Sequence, residues 1–156
     1  MGMKTTTVMI FLYVSIFSVM VGGLLLAPMA TASTIPADVN IDPDKINLKE
    51  TPRSWKSPYV MAFIRFLKPY KKKILDINVS TILLDGVIPV SKTELTKTVC
   101  KTFFDRQTVQ DYLWLKLAHM GNNEPFKNKK VELTVTGNLN DGTPFEGSDT
   151  ILVSAK

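Results

Sequence analysis

The residues able to do chemistry are few in this sequence, and their spacing argues against most chemistries. His119 is the only histidine and Cys100 the only cysteine, 19 positions apart. A zinc site built on that pair would need several carboxylates besides, and no ligand spacing supplies them. No disulfide can close within a chain holding one cysteine, so the core must hold the domain unaided. Apolar Val99, Phe103 and Phe104 flank Cys100 and make it a small buried hydrophobe rather than a reactive thiol. Serines, threonines and aspartates are plentiful, yet none stands at a spacing from His119 that would suggest a nucleophilic triad. Asp141, Glu146 and Asp149 form an acidic set that a metal or an acid–base pair could use. Turn formation and edge protection within one hairpin explain the same three residues. No catalytic, cofactor-binding or metal-binding residue is therefore assigned, and the chain is expected not to be an enzyme.

Three surface features carry weaker signals. Arg65, Lys68, Lys71, Lys72 and Lys73 form a basic patch that could meet anionic lipid headgroups or acidic wall polymers, or serve only as a solvated hairpin end. Asn78-Val79-Ser80 is an N-glycosylation sequon, meaningful in an exported chain; Asn78 could equally be an outward-facing strand residue. The aromatics Trp55, Tyr112 and Trp114 could offer a sugar-stacking platform, although packing of helix on sheet is their commoner fate.

The elements that would position these residues begin after a leader. Lys4 precedes an apolar run from Val8 to Ala27, and Ala30-Thr31-Ala32 is an A-x-A pattern that directs cleavage before Ser33. The run is also long enough to span a bilayer, so an uncleaved signal anchor over residues 8–27 is the alternative. Pro28 just before the A-x-A site favours the extended conformation that a peptidase needs. Either way the domain is delivered outside. Residues 1–32 are thus read as leader, 33–40 as a short lead-in and 41–156 as one domain, a length suited to a single core. The charge, 19 Lys plus Arg against 14 Asp plus Glu, is a mild excess that favours solubility and does not suggest a nucleic-acid partner.

From Asp38 the apolar pattern mostly has period 2, the mark of strands with one buried face. Val39 and Ile41, then Ile46 and Leu48, read as a first strand kinked at Asp42-Pro43-Asp44. Tyr59–Leu67 is apolar on both faces and should lie inside a sheet. Ile74–Leu84 reads as the next strand, turned at Asp85-Gly86 into Val87–Val90, where Pro89 implies an edge. Thr98–Phe104 is another strand. Asp105 then caps a helix over about 106–119, with Val109, Tyr112, Leu113, Leu117 and Met120 on one face and Gly121 at its end. A polar loop over 122–130 leads to Val131–Leu139 and Phe145–Val153, a hairpin turning at Asn140-Asp141-Gly142. The fold class expected is an immunoglobulin-like β-sandwich of about seven short antiparallel strands with one helix.

The segments IDPDKINLK, DINVSTILLDGVIPV, FDRQTVQ and VELTVTGNLNDGTPFEGSDTILV, in this order, resemble a family of small exported β-sandwich modules of archaeal and some bacterial surface and secreted proteins. The likeness covers nearly all of Val39–Val153 and is strongest over the final hairpin. It implies an extracytoplasmic domain without enzymatic activity and brings no site residues. Relatives carry a D-x-D-G-D-G calcium loop before the FDR element; here Ser91–Thr98 stands in its place, with one carboxylate and two lysines, so the resemblance implies no cation there. The expected function is a structural or adhesive envelope module that contacts a cell-envelope protein or polymer, with no cofactor, and that touches membrane only through an uncleaved leader. The alternative is a module that captures a carbohydrate or small solute.

Overall fold

The computed structural model describes residues 33–119 and 127–156. The leader, with its span 8–27 and its cleavage site, lies outside the described residues, as do Met120 and Gly121. Among the described residues no helix is long and apolar enough to cross a membrane.

The chain is mostly β. Among the described residues the strands are β1 (Ile35–Asp42), β2 (Lys45–Asn47), β3 (Tyr59–Phe66), β4 (Ile77–Leu84), β5 (Ile88–Pro89), β6 (Lys92–Leu95), β7 (Cys100–Asp105), β8 (Lys129–Leu139) and β9 (Pro144–Ser154), and an α-helix, α1 (Arg106–His119), lies between β7 and β8. They form one curled sheet in the order β5-β4-β8-β9-β1-β3-β7-β6, with β2 added on β9. The buried faces of all its long strands feed a single core, which includes Ile41, Ile64, Leu84, Phe104, Leu133 and Ile151. Burying each side chain of that size contributes about 1.5–3 kcal/mol.

The C-terminal hairpin is the spine of this sheet. Val131 pairs with Ile151 and Leu133 with Asp149 in an unbroken antiparallel register from Lys129↔Val153 to Asn138↔Pro144. Val131, Leu133, Val135 and Leu139 are buried, as their alternation requires, while Glu132 is exposed and Thr134 half-buried. The turn at Asn140-Asp141-Gly142 gives Gly142 a φ of +84°, a conformation that costs glycine little.

β1 joins the two halves of the curl. Ile35 and Pro36 pair in parallel with Phe145 and Glu146 of β9, whereas Ala37 to Asp42 pair antiparallel with β3. Where the strand changes partner it runs against Gly147, and a Cβ there would overlap the Ala37 carbonyl oxygen and stand 2.6 Å from Val39 Cγ2. The bare glycine admits the crossing. Past that point β1 has left its ladder with β9, and Asp149 Oδ2 accepts the Ile41 N–H at 2.7 Å in place of a backbone carbonyl.

Several expectations need correction. There are nine strands among the described residues rather than about seven, and two pairings, β1 with β9 and β2 with β9, are parallel rather than antiparallel. β1 starts at Ile35, inside the stretch read as lead-in, because Ile35 is itself buried. The strand expected from Ile74 starts at Ile77: Tyr70–Asp76 is a 3₁₀ segment, whose buried Ile74 anchors it while Lys71 and Lys72 stay exposed. β6 gave no apolar alternation because it is an edge strand without a buried residue. The central position of β3, between β1 and β7, the edge position of β5 and the span of α1 agree with the sequence pattern. Both residues of the Asp85-Gly86 turn have positive φ, +49° and +70°.

Candidate functional site

The five residues of the basic patch do not act as a unit. Lys73 Nζ lies 3.6 Å from Asp141 Oδ2, across to the β8–β9 turn, and Arg65 Nη1 lies 3.8 Å from Asp38 Oδ2 on β1. Both pairs are partly exposed and contribute little to stability. Arg65, Lys68 and Lys71 nevertheless line one open groove of about 320 Å³, together with Phe66, Leu67 and Val99. Leu67 is 59% exposed there, so an apolar wall stands beside three cations. Lys72 does not line the groove.

The acidic set separates. Asp149 serves the β1 crossing, Glu146 is exposed on β9, and Asp141 accepts the Thr143 N–H at 2.9 Å. The hydrogen bonds from Thr143, then the Lys73 charge, hold the Asp141 carboxyl below its usual range. Among the described residues no group of three or more His, Cys, Asp or Glu is placed to hold a metal ion. Ser91–Thr98 forms β6 and a turn in which Thr96 Oγ1 donates to the Val99 carbonyl.

His119 is exposed, with Nδ1 2.7 Å from the Leu115 carbonyl. Cys100 is buried, and burial pushes its thiol up to about 11. Asn78 is half-buried on β4, next to the point where the β4–β8 register shifts; the Ser80 hydroxyl donates to Asn78 Oδ1 at 2.7 Å, while Val79 and Ser80 are exposed. The three aromatics do not assemble into a platform. The Trp55 ring lies 5.3 Å from the Arg106 guanidinium, the Tyr112 hydroxyl donates to Asp85, and Trp114 is 49% exposed on α1.

Two arrangements escaped the sequence pattern. Asp85, in the β4–β5 turn, accepts from the Thr134 N–H (2.7 Å), the Tyr112 hydroxyl (2.9 Å) and Lys116 Nζ (2.5 Å), with its side chain only 8% exposed. It ties α1 to β8. Desolvation, then the bond to Asp85, pushes the Tyr112 phenol up to about 12.

The second arrangement is a cleft of about 480 Å³ at the start of α1, lined by Arg106, Glu50, Lys45, Lys56, Tyr59 and Ser154 among others. Arg106 is 5% exposed. Its backbone N–H donates to the Pro58 carbonyl and its Nη2 to Glu50 Oε2 at 2.9 Å, but among the described residues the buried Nε–H has no acceptor, nor has Trp55 Nε1. One signal was available: Arg106 and Gln110 continue, at helical spacing, the stripe of Val109, Leu113 and Leu117, so both had to be buried.

No family model matches this chain, and no curated protein or solved structure matches it significantly.

Proposed function

We propose that this chain is an exported, non-enzymatic module that works at the outer face of the cell by adhesive contact with an acidic envelope polymer. The observation that carries the proposal is the groove in which Arg65, Lys68 and Lys71 stand beside exposed Leu67. Exposed cations attract a polyanion, and the apolar wall contributes contact area that salt does not screen. Export is supported by the A-x-A leader, and the likeness to exported surface modules by the residues of the final hairpin. The crossing of β1 between two halves of the curled sheet supports reading it as a sandwich of immunoglobulin-like type.

Titration with polygalacturonate against neutral dextran tests this reading. Binding of the acidic polymer alone, weakened by Lys68→Ser/Lys71→Ser, is expected. Equal binding of both polymers, or of neither, contradicts it.

A second reading, capture of a small solute, is favoured by one observation: a buried guanidinium lines a cleft of ligand size with one of its donors unpaired.

A further inference from the structure

We propose that the cleft at the start of α1 is a site for a small oxyanion, a carboxylate or phosphate group, held by the Arg106 guanidinium with Lys45 and Lys56. This rests on the capture reading and names the chemistry captured.

Arg106 is an expensive residue to bury where it is. It occupies the first position of a 14-residue helix, where the macrodipole is positive and a cation is disfavoured. Its side chain is 6% exposed, and the one carboxylate among the described residues that answers it, Glu50, is itself 38% exposed. Burial of a guanidinium demands charge compensation and acceptors for its hydrogens, and here Nε–H is left without one. The surrounding charge deepens the deficit. Lys45, Lys56 and Lys156 line the same cleft as Arg106, against Asp42 and Glu50. Desolvation, then the neighbouring charges of Lys127 and Lys45, lower the Lys156 pKa, so the lysines at this end of the molecule crowd one another.

An entering carboxylate or phosphate supplies what the cleft lacks: a negative charge at a positive helix end, beside a guanidinium answered by one partly exposed carboxylate. The paired oxygens of a carboxylate or a phosphate match the guanidinium fork, which favours them over halide. Tyr59, Ser57 and Ser154 line the cleft with polar groups for the rest of a small solute.

Trp55, stacked near the guanidinium, reports occupancy, and Trp114→Phe leaves it the only tryptophan. In that background the emission of Trp55 is followed during titration with sodium phosphate, sodium succinate, sodium chloride and glucose at matched ionic strength. A saturable change with phosphate or succinate and none with chloride is expected, and the two oxyanion arms tell which group is preferred. Lys45→Ser/Lys56→Ser, at exposed positions, should weaken binding roughly tenfold, and Glu50→Gln, which frees the guanidinium, should strengthen it. A response that is linear, or equal in the lysine variant, overturns the proposal. Saturation by glucose alone overturns the oxyanion assignment and leaves solute capture standing, whereas silence in every arm removes both.

Discussion

The β8–β9 hairpin and the cleft at the start of α1 are built by opposite rules. In the hairpin alternate residues of β8 are buried, β9 answers with Phe145, Ile151 and Val153, and the two arms pair at ten successive positions. At the cleft, an arginine and a glutamine are buried on a helix face, Gln110 Nε2 donates to the Asn47 carbonyl, and Arg106 reaches Glu50 across 56 positions of sequence. Period alone specifies the first. The second depends on long-range polar contacts that no local pattern encodes. A scaffold can be regular because burial is non-directional, whereas a site for a ligand needs charges held where folding by itself would not put them.

The largest effect should come from truncating the scaffold. Leu133→Ala is expected to cost about 2–5 kcal/mol in denaturant melts, from lost transfer energy plus the cavity left in the core. A cost below 1 kcal/mol would mean that the inward face of β8 is misassigned.

Asp85→Asn comes next. Asparagine tolerates the positive φ of the turn but removes the charge facing Lys116, leaving part of the network unmatched, and a loss of about 1–3 kcal/mol is expected. If the melting midpoint does not move, the Asp85 network contributes nothing to docking α1 on β8.

Alkaline pH should loosen the packing of β7 and of α1 in sequence. Cys100 and Tyr112 hold their protons more tightly folded than unfolded, so the unfolded chain ionises first and stability falls as pH rises, from about 9 to 11 for Cys100 and from about 10 to 12 for Tyr112. Tyr112→Phe should remove the upper part of the fall and Cys100→Ala the lower; an unchanged profile in both would refute the assignment.

The smallest effects belong to the solvent side. Thr134→Ala loses only its contact with the Ser148 hydroxyl, since Asp85 is bound by the Thr134 backbone, and should cost within about 0.5 kcal/mol. Were it to exceed Leu133→Ala, the register of the hairpin would be reversed.

The sequence made legible whatever burial repeats. Val131 to Leu139, Tyr59 to Phe66 and the helix from Arg106 declare themselves by alternation, by helical spacing and by the Asp105 cap, whose Oδ1 accepts the Thr108 N–H at 2.8 Å. β6 stayed hidden because an edge strand buries nothing, and the parallel start of β1 because pairing direction leaves no mark on composition. Of the sites, the basic groove was legible as a cluster of charge, though only three of its five members share a wall. The cleft was legible only in part: Arg106 continues the apolar stripe of α1 and had to be buried, but Glu50, Lys45 and Lys56, which meet it there, stand far from it in sequence.

The most direct test of the adhesive role is the affinity for polygalacturonate measured across a series of salt concentrations, in the natural sequence and in Lys68→Ser/Lys71→Ser. Each lysine near an anionic surface is worth about 1 kcal/mol, so the double variant should bind roughly tenfold or more weakly at low salt and lose much of its salt dependence. Identical affinity and identical salt dependence in the two proteins would contradict a function carried by the groove.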